Sequence, residues 1–310
     1  MKQSPPRVKV CIPYYESLPE PAVMLNEHLI RSGIPGYLVI LSKRQTAIIT
    51  FSRNELADAN DGFDYDYIFF VDSDVGYSEE EMNRPVQLNF DGRKIVVAKI
   101  IAQMKQILDH GLNICGGFYC SRKAPYAPMV FKKNPADPMG YVSIADFPDS
   151  GVHEIDAIGT GFLCIKRPVI EAFHSRARER LAMAENARKA VQLIGEALEG
   201  QPEKKQHLSR IAEYIETANP GAYPPFWLDA FYQPEKRAWR NVGEDIYFCR
   251  EAQKMGYKLY CDFQIQLGHM TTRFIKPEIY KGTHQAAFVE VLKKAQMAEE
   301  AFKIAAGDSK

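Results

Sequence analysis

Apolar residues in this chain fall into short continuous runs separated by stretches of helical spacing. Residues 7–12 (RVKVCI), 37–41 (YLVIL) and 66–71 (DYIFFV) are apolar without strict alternation, the pattern of strands covered on both faces of a sheet. Between them, residues 20–32 and 45–60 space their apolar positions as amphipathic helices do, with Gly33, Pro35 and Gly36 breaking the first. Strands alternating with helices imply right-handed βαβ units and a largely parallel sheet.

Residues 84–100 read as a hairpin turning at Asp91-Gly92, followed by a helix at about 100–110 and a strand at 113–119. Pro, Gly and Asp crowd residues 123–150, which read as a long functional loop or strand excursion. Residues 156–165 form a strand-like piece interrupted by Gly159 and Gly161. Over 168–218 strand formers almost vanish and Ala, Glu, Arg, Lys and Leu dominate. This predicts two helices broken near Gly200-Gln201-Pro202, with the prolines of 220–225 closing the insert. The α/β pattern resumes with a helix at about 244–255 and a strand at 257–263, and an apolar stripe over 277–306 predicts a helical tail. The organisation is an α/β unit over 1–270, carrying a helical insert at 168–220, and a tail at 271–310.

Composition narrows the class. The chain has 310 residues, 46% of them hydrophobic and 25% charged, which suits a globular protein and excludes a disordered or collagen-like chain. Lys plus Arg equals Asp plus Glu at 39 each, so there is no overall basic charge of the kind that tracks nucleic acid, although a local groove remains open. None of the six cysteines is spaced as C-x-x-C, which speaks against a zinc ribbon or a thioredoxin motif. No apolar run is long enough for a leader or a membrane span. The expected compartment is the reducing cytoplasm.

Asp72-Ser73-Asp74 ends the most apolar strand. Two carboxylates there stand at the carboxyl edge of the sheet, where open α/β folds bind ligands. Hard oxygen donors suit Mg²⁺ or Mn²⁺, which can bridge a diphosphate; the competing reading is a polar turn. Glu244-Asp245 opens the last helix of the α/β unit, where acids serve either catalysis or the helix dipole. Gly116-Gly117 would let a backbone approach a ligand closely, or mark a bulge. Trp227 and Trp239 flank the same helix as carbohydrate platforms or as core.

Arg53-Asn54, the D-x-D, Gly159-Thr160-Gly161, Glu244-Asp245 and Gly268-His269, in this order, resemble the GT-A class of nucleotide-sugar glycosyltransferases, family 2-like members above all. The resemblance covers about 7–122 and 153–270 and leaves out the insert and tail. It implies a Rossmann-like, mostly parallel sheet flanked by helices. Pro13, Tyr14, Tyr15 and Glu16 would then hold base and ribose, and Arg53 would approach the base or diphosphate. Asp72, with Ser73 beside it, would lie near ribose and metal. Asp74 and His269 would ligate the metal, with imidazole favouring Mn²⁺ over Mg²⁺. Gly117 would lie near the donor sugar and Gly161 beneath donor and acceptor. Asp245, or else Glu244, would be the general base of an inverting transfer, while retention stays open.

The expected partners are a nucleotide-diphosphate sugar and an acceptor hydroxyl on a glycan, lipid, protein or modified nucleic acid. The tail's stripe would pack on the core or against a second subunit. Two rival functions are a sugar-phosphate nucleotidyltransferase, whose Gly-rich basic loop is replaced here by Pro-Tyr-Tyr-Glu, and a non-catalytic nucleotide-sugar-binding module.

Overall fold

The computed structural model describes residues 4–15, 17–45, 48–58, 64–123, 125–137, 139–197, 208, 210, 224–227, 229–233, 238–270, 274–275 and 289. Glu16, nearly all of the second helix of the insert and nearly all of the tail lie outside them. In chain order the strands begin with β1 (Arg7–Tyr14), β2 (Leu38–Gln45), β3 (Tyr67–Val71), β4 (Val75–Gly76), β5 (Pro85–Phe90) and β6 (Arg93–Ala98). Then come β7 (Ile114–Phe118), β8 (Val130–Lys133), β9 (Tyr141–Ser143), β10 (Val152–Ile155), β11 (Ala157–Ile158) and β12 (Phe162–Lys166). The series ends with β13 (Asp229–Gln233), β14 (Ala238–Val242), β15 (Leu259–Gln266), β16 (Gly268–Met270) and β17 (Phe274–Ile275). The helices are α1 (Glu20–Ser32), α2 (Ile49–Ala57), α3 (Glu79–Met82), α4 (Lys99–Asp109), α5 (Arg167–Ala197) and α6 (Glu244–Lys254).

Seven strands form the main sheet in the order β10-β15-β7-β12-β3-β1-β2. The pairings of β1 with β2 and β3, and of β7 with β15, are parallel. β12 runs antiparallel to both of its neighbours, β3 and β7, and β10 runs antiparallel to β15. The sheet is therefore mixed, with five strands pointing one way and two the other. Reversal of β12 in the middle sets its first residue, Phe162, opposite the last residue of β3, Val71.

Continuous apolar strands fill both faces, as their pattern requires. Phe69 and Val71 of β3 pack with Leu25 and Leu29 of α1 and with Ile101 and Met104 of α4 on one face. Ile68 and Phe70 pack with Leu56 of α2, Phe173 of α5 and Phe248 of α6 on the other. Spacing explains α4, whose buried Ile100, Ile101, Met104, Ile107 and Leu108 form one stripe. β2 extends through Lys43 and Arg44 because it is an edge strand, where exposed polar side chains are tolerated. The β5–β6 hairpin turns on Asp91 (φ 49°) and Gly92 (φ 72°), the paired positive φ of a two-residue primed turn. Residues 123–150 supply β8 and β9, which join β11 in a separate three-stranded sheet.

The first turns of α5 bury Val169, Ile170 and Phe173, after which Leu181, Met183, Leu193 and Ile194 are exposed. All six cysteines are free and buried. Among the described residues, no helix is long and apolar enough to cross a membrane.

Gly116 and Gly117 of β7 are required by packing. A Cβ at Gly116 would lie 2.8 Å from the Phe162 carbonyl oxygen and 2.7 Å from Ile158, and one at Gly117 would lie 2.9 Å from Ile265, Leu267 and Phe162. Gly116→Ala should cost about 1–3 kcal/mol through overpacking. A urea midpoint equal to that of the wild type would contradict this close approach.

Candidate functional site

Arg53 is the lowest point of the site. It sits on α2 with 2% of its side chain exposed and grips two carboxylates at once. Nη2 donates to Asp72 Oδ1 at 2.6 Å, and Nη1 donates to Glu244 Oε1. Asp72 is the first residue beyond β3 and Glu244 the first of α6, so one guanidinium ties the sheet's carboxyl edge to a helix 191 residues later. Burial would favour neutral Arg53, but the two carboxylates outweigh it and raise its pKa. Nε of Arg53, also buried, has no hydrogen-bond partner among the described residues. The adjacent Asn54 clamps the backbone of Phe226, donating to its carbonyl at 2.6 Å and accepting from its N–H at 3.0 Å. That places Trp227, 40% exposed, next to α2. The side chain of Trp239 lies outside the described residues.

Asp74 and His269 meet through a small sheet. β16 pairs antiparallel with β4, His269 opposite Val75, and the Met270 N–H donates to the Asp74 carbonyl at 2.7 Å. His269 Nδ1 lies 3.0 Å from the Cys120 carbonyl. A carbonyl can only accept, so Nδ1 carries the proton and Nε2 is left facing Asp74 Oδ2 at 3.3 Å. Arg122 Nη1 donates to the same oxygen at 2.7 Å. Burial would raise the Asp74 pKa, but His269 and Arg122 outweigh it and hold the carboxyl below its usual range. Burial would lower the His269 pKa, and the Asp74 carboxylate reverses that and raises it. Asp72 is pushed the other way from Asp74: burial raises its pKa, and Arg53 offsets only part of the rise.

These residues fit a hard divalent ion in a restricted sense. Asp74 supplies a carboxylate oxygen, and His269 an imidazole nitrogen whose other nitrogen is fixed by a backbone carbonyl, the usual support of a metal-ligating histidine. Asp72, expected as a third ligand, has its carboxylate turned to Arg53 instead. Among the described residues no group of three His, Cys, Asp or Glu side chains could hold a metal. What these residues offer Mg²⁺ or Mn²⁺ is one carboxylate oxygen and one imidazole nitrogen, fewer donors than either ion takes in all.

Asp245 follows Glu244 in the first turn of α6. Gly243 is the N-cap residue, and no side chain caps the helix. Asp245 Oδ1 accepts the N–H of Ile246 at 2.8 Å. Burial, reinforced by the charge of Glu244, pushes its pKa up to about 6. Tyr119 lies beneath, with its hydroxyl accepting the Gly161 N–H at 2.8 Å and its ring edge-on to His269. Burial and the charges of Asp72 and Asp245 raise the Tyr119 pKa well above its usual value. The glycines of Gly159-Thr160-Gly161 make room for this ring, because a Cβ at either would fall within 2.7 Å of its hydroxyl oxygen. The Gly161 carbonyl then accepts the Asp72 N–H at 2.8 Å.

A cleft of about 490 Å³ gathers Pro13, Tyr14, Tyr15, Arg53, Asp72, Ser73, Asp74, Glu244 and His269, together with Ile49 and Arg122. Nine of the expected site residues therefore share one wall. Asp245 is not among the lining residues. Gly117 is buried in the sheet with its open side filled by Ile265, Leu267 and Phe162, and Gly161 packs on Tyr119. Glu16 is outside the described residues. The sequence reading missed Arg122 and Tyr119. The only available signal for Arg122 was its place just after the Gly-rich β7.

Comparison with known proteins adds little. No protein-family model matches the chain, and no curated protein matches it. Among solved structures it is similar to A197 from STIV, with 16% identity over 88% of this chain and 91% of that one and a TM-score of 0.39. That score carries no argument, and the functional reading rests on this chain's own side chains.

The raised pKa of Asp245 sets a pH-dependent stability. Because the folded state binds the proton more tightly, this carboxyl contributes stability below pH 3.8, and the contribution is lost as the pH rises toward about 6. Asp245→Asn should therefore melt higher than the wild type at pH 8, by up to about 3 kcal/mol in unfolding free energy. The difference should shrink toward zero near pH 4. A variant less stable than the wild type at pH 8 would contradict the buried, uncompensated charge.

Proposed function

We propose that this protein is a metal-dependent glycosyltransferase that moves a sugar from a nucleotide-diphosphate sugar to an acceptor hydroxyl with inversion. The observation that carries this reading is the separation of carboxylate tasks around one cleft. Asp72 and Glu244 share the guanidinium of Arg53, Asp74 faces His269, and burial with the charge of Glu244 pushes the Asp245 pKa up to about 6.

Each group then has one task. Tyr14 and Tyr15, which follow the apolar part of β1, form the wall for base and ribose, and Tyr15 is exposed enough to stack on a ring. Arg53 keeps Asp72 and Glu244 in place. Asp74 and His269 would hold Mn²⁺ or Mg²⁺, which when bound supplies positive charge to a departing diphosphate. The general base that takes the acceptor's proton is Asp245 or Glu244: Glu244 lines the cleft but is paired with Arg53, whereas Asp245, next to it in α6, has the raised pKa. The charge of a nearby carboxylate also favours the positive charge that develops at the anomeric carbon.

Nucleotide binding should depend on both the ion and Asp74. In the wild type, UDP-sugars or GDP-sugars with Mn²⁺ should raise the melting temperature by mass action and release UDP or GDP with a mixed acceptor pool. Asp74→Asn should lose the Mn²⁺-dependent part of the shift and reduce turnover by at least about 100-fold. Equal shifts and equal release with and without Mn²⁺, unchanged in Asp74→Asn, would overturn the reading.

A further inference from the structure

Among the described residues two arginines reach the cleft, and they are built differently. Arg53 is 2% exposed and locked by two carboxylates. Arg122 is 58% exposed, and its one charged partner among the described residues is Asp74. It rises from the turn after β7, whose base is fixed by the Cys120–Pro128 bridge and by the Ser121 N–H donating to the Ala127 carbonyl at 2.8 Å. The backbone is thus anchored while the side chain lies in solvent apart from its one ionic contact.

That contact falls on Oδ2 of Asp74, the oxygen that His269 Nε2 also faces. A divalent ion held by Asp74 and His269 would meet the guanidinium nitrogen 2.7 Å from its ligand oxygen. Two positive centres that close, with only one carboxylate between them, repel strongly. Among the described residues that line the cleft, Asp72, Asp74 and Glu244 exceed Arg53 and Arg122 by one negative charge, so a bound dication would leave that set positive by one. A diphosphate restores the balance and offers the planar guanidinium of Arg122 two phosphate oxygens as a bidentate partner at the cleft mouth.

We propose that Arg122 is an exchangeable counter-ion: it holds Asp74 while the cation is away and transfers to the phosphates of the nucleotide when cation and nucleotide enter. This rests on the metal-and-diphosphate reading of the same cleft. It makes Arg122 a positioning residue that opposes binding of the ion alone and favours binding of the ion with its nucleotide.

Opposite signs in two equilibria test the exchange. Mn²⁺ binding to the full chain without nucleotide would be followed by the electron paramagnetic resonance signal of free Mn²⁺, and UDP and GDP binding at saturating Mn²⁺ by calorimetry. Arg122→Ala should bind Mn²⁺ roughly three- to tenfold more tightly than the wild type. It should bind the preferred diphosphate roughly tenfold or more weakly. Arg122→Lys, which keeps the charge without the planar fork, should fall between them in diphosphate affinity. A merely structural role would weaken both equilibria together. If Asp74→Asn abolishes Mn²⁺ binding but Arg122→Ala leaves it unchanged or weaker, the exchange is wrong and the metal reading stands. If the wild type binds no Mn²⁺, or Asp74→Asn binds it equally well, both fail.

Discussion

A single buried guanidinium holds the candidate site together. Arg53 joins Asp72 at the end of β3 to Glu244 at the start of α6, positions that nothing in the local chain brings near each other. Without that cation, two acids would be buried beside each other at a cost of several kcal/mol. With it, they become fixed walls of a cleft. The pairing also frees the remaining acids for other tasks: Asp74 stays ionised against His269 and Arg122, and Asp245 is left where burial raises its proton affinity.

The sheet provides the frame. Because β12 runs against β3, the Gly159–Gly161 turn arrives beside Asp72 and covers the ring of Tyr119, whose hydroxyl is held by the Gly161 N–H. Because β16 pairs with the two residues of β4, His269 reaches Asp74 across almost two hundred residues of sequence. The site is a product of two antiparallel pairings, one within the mixed main sheet and one beside it.

Much of this was legible in the chain. The apolar run of β3 ending in Asp72-Ser73-Asp74, the stripe of α4 and the turn at Asp91-Gly92 follow from local periodicity and turn chemistry. The convergence of Arg53, Asp72, Asp74, Glu244 and His269 followed only from a resemblance, since no spacing rule links a helix near residue 50 to one near 245. The strand reversal at β12 left no local trace, because a buried strand is equally apolar in either direction. β4 is too short to announce itself. Gly116 and Gly117 were read as an approach to a ligand or a bulge, and Gly161 as lying beneath donor and acceptor; what local sequence does not show is their close packing on Phe162, Ile265 and Tyr119. Arg122 could not be assigned, because a lone exposed arginine in a loop acquires meaning only when Asp74 is seen beside it.

The account stands on where a cation goes. Crystals of the full chain soaked with Mn²⁺ and either UDP or GDP, measured at the manganese edge, would locate it by anomalous scattering. The account predicts one strong peak about 2.0–2.3 Å from both Asp74 Oδ2 and His269 Nε2, with phosphate oxygens completing the shell. A peak elsewhere, or nucleotide bound in the cleft with no peak between Asp74 and His269, would contradict it.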